Sequence, residues 1–224
     1  MKAPPHDLLE YERALLDRGE VVVGIDEVGR GALAGPMTVG AVVVCGADLP
    51  PERLNDSKLL TPVRRTSLVE PIRQWAAEWS LGSVSASEID AWGLRLALAV
   101  AATRALDGLT SVPTYGLIDG PFNLLSSPLD VGFGVVRPPP LRYASLPATT
   151  IVKGDQRCAT IAAASILAKV HRDSVMVELH EAHAEYQWAS NKGYGVPAHL
   201  EAIRRHGPSS HHRRTWHLPE VTSS

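Results

Sequence analysis

Val21-Val22-Val23-Gly24-Ile25-Asp26-Glu27-Val28-Gly29-Arg30-Gly31 is the stretch on which the reading of this chain turns. Val21–Ile25 is a continuous, mostly β-branched apolar run, which suits a strand buried on both faces. It stops at two adjacent carboxylates, Asp26 and Glu27, and a glycine-rich turn carries on through Gly35-Pro36. Thr38–Val44 predicts a second strand, so the pair reads as a hairpin. One acid at a strand end is ordinarily a cap or a turn residue. Two together at the end of a buried, glycine-flanked strand are poorly explained that way.

The rest of the chain supplies alternating elements. Asp7–Arg18 has a weak helical pattern ended by Gly19. Pro62–Trp75 predicts a helix, with Thr61 as N-cap and Pro62 in its first turn. Trp79–Ser85 predicts a third strand, and the Ala/Leu-rich stretch from Ser87 to Leu106 a long helix. Thr114–Ile118 reads as a short strand ending at Asp119-Gly120. Leu146–Val152 reads as a fifth, interrupted by Pro147 and so expected at an edge. Thr160–Trp188 is mainly helical, and Pro197–His206 is a short helix closed by Gly207. Ser126–Pro147, with Arg137-Pro138-Pro139-Pro140 inside it, reads as an extended connection. The pattern is α/β with a mixed sheet and helices toward the C-terminus. At 224 residues and 45% hydrophobic, one domain over residues 1–224 is expected, with 1–19 an N-terminal helix or tail.

Charge and cysteine content narrow the class. Lys and Arg number 22 against 24 Asp and Glu, for a net −2. That excludes a uniformly basic nucleic-acid coat and leaves room for a local basic patch. Cys45 and Cys158 cannot make a disulfide framework or a four-cysteine zinc site; both read as small buried apolar residues in a reduced compartment. No apolar run approaches the roughly 20 residues of a membrane span, and the start lacks a secretory core. A cytoplasmic protein without a membrane segment is expected.

Asp26, Glu27, Asp119 and Asp155 all follow apolar runs. In α/β sheets the loops at strand ends converge on one crevice, so neighbouring strands would gather four mutually repelling carboxylates. Divalent cations remove that penalty, and all-oxygen ligands suit Mg²⁺ or Mn²⁺ better than zinc. Two ions roughly 4 Å apart can activate water and stabilise a leaving oxygen in phosphodiester cleavage. Asp173, beside Arg172 in a helix, reads as a structural ion-pair partner. Gly29-Arg30-Gly31 can cradle a phosphate with its N–H groups, or simply form the hairpin turn. Ser57 and Lys58 suit phosphate contacts or any exposed turn. Lys153, Lys169, Arg172 and Lys192 add positive charge. Tyr194, between Gly193 and Gly195, can stack on a sugar or base, or pack over a helix end. His206, His211, His212 and His217, among Arg204, Arg205, Arg213 and Arg214, read as a basic surface segment.

In their joint order these pieces resemble ribonuclease HII, the prokaryotic type 2 ribonuclease H, from about Val22 to about Pro219. The residues that carry the resemblance are Gly24–Gly31 with Ala34-Gly35-Pro36; Asn55-Asp56-Ser57-Lys58; Asp119-Gly120; Lys153-Gly154-Asp155 with Ile161–Val170 and Arg172-Asp173; and Asn191–Gly195 with His199 and His212-Arg213. The resemblance implies an RNase H-like fold, a five-stranded mixed sheet flanked by helices, with a helical C-terminal extension whose residues 186–219 contact substrate. It implies cleavage of the RNA strand of RNA–DNA hybrids, and incision 5′ of single ribonucleotides in duplex DNA, leaving 3′-OH and 5′-phosphate ends. It implies two Mn²⁺ or Mg²⁺ ions on Asp26, Glu27, Asp119 and Asp155. Substrate contacts fall on Gly29, Arg30, Gly31, Ser57, Lys58, Lys169 and the junction-sensing Tyr194. Nucleic acid is the expected partner, and a monomer the expected state. Leu59 departs from the pattern where a second lysine is common, the segment after Asp155 differs in detail, and residues 126–147 read as an insertion. A non-catalytic hybrid-binding module and another two-metal nuclease on the same fold are the competing classes. The first has no need of four acids, and the second no need of Gly29–Gly31 together with Tyr194.

Overall fold

The computed structural model describes residues 7–46, 48–52, 54, 60–126 and 138–221. The hairpin is present. Strand β1 (Val22–Val28) pairs antiparallel with β2 (Met37–Val44), and Asp26 lies opposite Gly40. Strand β3 (Glu78–Val84) adds antiparallel to β2, while β4 (Tyr115–Asp119) and β5 (Ala148–Ile151) extend the other side in parallel. The order β3-β2-β1-β4-β5 is a five-stranded mixed sheet with β5 at an edge, where Pro147 predicts it.

Both faces of the sheet are covered, which is why its central strands are unbroken apolar runs. Helix α4 (Leu94–Asp107) packs against Val23, Ile25, Val39, Ala41 and Val43. Helix α5 (Ala159–Ala182) covers the opposite face, packing on Val42 in one cluster and on Val22 and Leu117 in another. Helix α2 (Pro62–Trp75), capped by Thr61 as expected, lies outside α5. Alternation along β1 sends Val23, Ile25 and Glu27 toward α4, and Val22, Gly24 and Asp26 toward α5. The two adjacent acids therefore leave opposite faces of the sheet.

Small residues let α5 lie close. Ala162, Ala163, Ala164 and Ala168 are fully buried, and a Cβ on Gly40 would sit 2.4 Å from the Ala164 carbonyl oxygen. The N-terminus of α5 is capped from elsewhere in the chain. Glu12 of α1 (Glu10–Leu16), itself fully buried, accepts from the Thr160 N–H and the Thr160 hydroxyl, each at 2.9 Å. A carboxylate there meets unsatisfied amides and the positive end of the helix dipole. Burial nevertheless raises the Glu12 pKa above the ordinary carboxylate value.

Several expectations need correction. Asp26 and Glu27 lie inside β1, because the antiparallel ladder continues through Val28 opposite Thr38. The stretch from Ser87 to Leu106 turns at Gly93, giving α3 (Ala86–Trp92), with a Ser85–Glu88 capping box, and α4. The long C-terminal helix stops at Ala182. A 3₁₀ turn (Ala184–Tyr186) and α6 (Trp188–Asn191) follow, with Gln187 left-handed between them, and then α7 (Pro197–His206). Cys158 is buried and its thiol pKa pushed up by desolvation, but Cys45 is exposed just past the end of β2. No described helix is long and apolar enough to cross a membrane. Residues 127–137 of the expected insertion lie outside the described residues.

Gly40→Ala is expected to force α5 off the sheet, costing about 1–3 kcal/mol as overpacking does. The thermal midpoint should fall by roughly 3–10 °C. An unchanged midpoint would mean that α5 can move away at no cost.

Candidate active site

Asp119 is the last residue of β4, whose Ile118 pairs with Ile25 of β1, so Asp26 and Asp119 follow a matched pair on neighbouring strands. Asp119 Oδ1 accepts the Gly154 N–H at 2.7 Å. That bond ties β4 to the 3₁₀ turn Gly154–Gln156, which carries Asp155. Asp26 and Asp155 are each only 3% exposed, and burial of carboxylates this deep demands compensation by cations or donors. Glu27, on the opposite face, has its carboxylate 3.6 Å from the Arg30 guanidinium. The topology thus collects the four expected acids at one end of β1, β4 and β5. Among the described residues, no three His, Cys, Asp or Glu side chains are grouped as ligands of one ion. One oxygen of Asp26 accepts the Glu27 N–H at 2.7 Å, one of Asp119 accepts from Gly154, and Glu27 faces Arg30. The donor set is nonetheless all carboxylate, the chemistry that fits Mg²⁺ or Mn²⁺.

The Gly29–Pro36 loop beside these acids is held from beneath by two arginines. Arg172 of α5 donates to the carbonyls of Pro36 (2.7 Å), Lys192 (3.0 Å) and Ala34 (3.1 Å). Arg213 donates to those of Gly29 (2.6 Å), Arg30 (2.8 Å) and Gly35 (3.3 Å). Both side chains are fully buried, and neither has a carboxylate partner among the described residues. Burial lowers both pKa values; that of Arg213 falls to about 10, with the charge of Arg172 adding to the effect. Gly29 is left-handed (φ +83°), and a Cβ there would lie 2.1 Å from Arg172 Nε. The Arg30 side chain stays half exposed above this support.

These positions correct the reading of the tail. His212 and Arg213 are buried, and only Arg204, Arg205, His206, Arg214 and His217 stay exposed. The expectation failed because composition alone cannot tell a basic surface from a charged support for backbone. One signal was available for Arg172. It continues the i, i+4 row Ala164, Ala168, Arg172, Met176, every member of which is buried.

Tyr194 is half buried, with Lys169 Nζ 5.8 Å and Arg172 Cζ 5.5 Å from its ring centre. The Gly193 carbonyl accepts from Leu33 and Ala34, which joins the tyrosine loop to the glycine loop. The backbone carbonyl of Tyr194 accepts from His199 Nδ1 at 3.0 Å, which fixes the tautomer. His199 Nε2 then accepts from Trp188 Nε1 (3.0 Å) and from His212 Nε2 (3.1 Å), while His212 Nδ1 accepts from Ser209. The bonds accepted by His199 Nε2 and His212 Nδ1 require both imidazoles neutral. Asp173 binds Lys169 at 2.7 Å and Arg65 at 3.3 Å, as an ion-pair partner should. Ser57 and Lys58 lie outside the described residues.

Comparison with known proteins agrees with this fold. The family described as Ribonuclease HII matches residues 23–218. A ribonuclease HII of Streptomyces avermitilis is 43% identical over 213 residues, covering 95% of this chain and 84% of the relative. Among solved structures, the ribonuclease H2 of Pyrococcus horikoshii superposes with a TM-score of 0.64 at 29% identity, covering 88% of this chain and 93% of the other. The RNase HII of Archaeoglobus fulgidus, solved as its complex with PCNA, gives 0.68 at 26% identity, covering 90% and 98%.

Burial lowers the pKa of His199, and that of His212 to about 4, so the folded chain binds fewer protons than the unfolded chain below pH 6.5. Their contribution to stability is complete above about pH 6.5 and is lost as the pH falls toward 4. The thermal midpoint should therefore drop between pH 7 and pH 5, and His212→Gln, which cannot take up the proton, should flatten that slope. An identical slope in the variant would show that these imidazoles do not govern it.

Proposed function

The chain belongs to the ribonuclease HII family, and from that premise we propose that it cuts the RNA strand of RNA–DNA hybrids and incises 5′ of single ribonucleotides in duplex DNA, using two divalent ions. It is a hydrolase of the ribonuclease H type. The observation that carries the finer reading is the collection of Asp26, Glu27, Asp119 and Asp155 at one end of the sheet, beside a glycine loop fixed by buried charge.

Those four acids would hold the ions. When bound, two Mn²⁺ or Mg²⁺ ions supply the positive charge that acidifies water and stabilises a leaving oxygen. The water oxygen bonds to phosphorus, the bond from phosphorus to the 3′ oxygen breaks, and a proton ends on that oxygen, leaving 3′-OH and 5′-phosphate ends. The chain's own part is to position the strand. Gly29, Arg30 and Gly31 would meet the backbone around the ribonucleotide, and Glu27 would turn from Arg30 toward the ions as phosphate takes its place. Ser57, Lys58 and Lys169 would add phosphate contacts, although Lys169 already serves Asp173. Tyr194 would lay its ring on the deoxyribose that follows the ribonucleotide, where a 2′-OH would crowd it. Residues 186–219 would support that contact. Nucleic acid is the partner in this reading, a monomer its working form and the cytoplasm its place.

A DNA duplex with one ribonucleotide, incubated with Mg²⁺, with Mn²⁺ and with EDTA, tests this directly by mapping the cut. Asp26→Asn is expected to lose cleavage by orders of magnitude while retaining binding. Tyr194→Ala should lose most cleavage at the single ribonucleotide and less on long hybrids. Full activity of Asp26→Asn, or equal losses on both substrates for Tyr194→Ala, would remove the respective role.

A further inference from the structure

A cavity of about 420 Å³ opens beside the acids, between Glu27, Arg30 and Asp119 on one wall and Arg95, Leu98 and Phe122 on the other. That volume suits a small organic group. The cavity lies on the α4 side of the sheet, because Arg95 and Leu98 belong to α4 and Glu27 points toward that face. Tyr194 lies across the acids from it, next to Lys169 and Arg172 of α5. A strand running over the acids from Tyr194 therefore enters this cavity.

Two side chains in the far wall have no role in the reading above. Arg95 is exposed and makes no hydrogen bond or ion pair with any described residue. Phe122 is 66% exposed, which is unusual for a large aromatic side chain. It is not simply on a loose loop. Leu124 and Leu125 just beyond it are buried, the Asn123 side chain accepts from Leu125 N at 3.0 Å, and the Asn123 carbonyl accepts from Ser126 Oγ at 3.2 Å. A pinned turn thus holds an apolar ring in the wall of a cavity of mixed polarity, which it shares with the Arg95 guanidinium, a group that pairs with no described residue. A phosphate matches the guanidinium, and a base or sugar face matches the ring.

We propose that Arg95 and Phe122 form a subsite for a nucleotide of the cleaved strand on the 5′ side of the scissile phosphate. The inference rests on the ribonuclease reading and on Tyr194 meeting the 3′ side. Neither group calls for a 2′-OH, so the subsite accepts ribose and deoxyribose alike and contributes to both substrate classes.

The test uses duplexes with one ribonucleotide whose cleaved strand is shortened stepwise from its 5′ or its 3′ end. Wild-type protein should lose about tenfold in kcat/KM, mainly through KM, once 5′ shortening empties the subsite, the order of effect expected for one stacked base. The Arg95→Ala/Phe122→Ala double variant, both positions being exposed, should melt like wild type. It should show that tenfold loss already on the long substrate and no further response to 5′ shortening, while 3′ shortening affects both proteins equally. A double variant with wild-type kcat/KM, or one that still responds to 5′ shortening as wild type does, overturns the subsite and leaves the activity standing. A wild-type protein that cuts no ribonucleotide-containing duplex overturns the activity itself.

Discussion

Six backbone carbonyls, from Gly29, Arg30, Ala34, Gly35, Pro36 and Lys192, turn onto two buried guanidiniums. Burying a cation without an anion is costly, and charge-assisted hydrogen bonds of about 1.5–3 kcal/mol each are the means of offsetting it. The arrangement is stiff because neither partner has an alternative. Each arginine is desolvated, and a loop so rich in carbonyls has few other buried donors. Arg172 also approaches the Tyr194 ring, so one side chain touches both the glycine loop and the aromatic on the loop bonded to it. The neutral histidine pair extends this support, from Ser209 through His212 and His199 to the carbonyl of Tyr194.

Local signals explain what could be read from sequence. The apolar runs of β1 and β2 are buried on both faces, Thr61 and Pro62 start α2, and Gly207 ends α7, each an interaction among near neighbours in the chain. Asp119 and Asp155 were legible as site candidates only because they repeat, after later apolar runs, what Asp26 and Glu27 do after the first; singly each would read as a cap or a turn residue. What escaped was long-range. That Arg213 and His212 are interior follows only from the packing of the tail against residues 29–35, and that Cys45 is exposed only from where the β2 ladder stops. Arg213 is charged yet buried, against the composition of its surroundings, and unlike Arg172 it has no apolar helical row to report it.

The alternation of β1 gives the acid pair a purpose that adjacency alone hides. Asp26 faces the helix that carries Arg172 and Lys169, and Glu27 faces the helix that carries Arg95. One dipeptide thereby addresses both layers of the molecule at the sheet's end, and a ligand lying across that end can touch both. A one-residue slip in the β1–β2 register would exchange the two carboxylates between layers, so the hairpin register, set by the glycine-rich turn, is also a condition of the site.

The bond from Arg213 to the Gly29 carbonyl joins residues 184 positions apart. Closing a loop of that length costs more chain entropy than closing a hairpin. The hairpin, by contrast, forms from neighbours. The glycine loop near the start of the chain thus takes the donors for three of its carbonyls from a residue near the other end, so the loop beside the acids is finished only by the segment after α7.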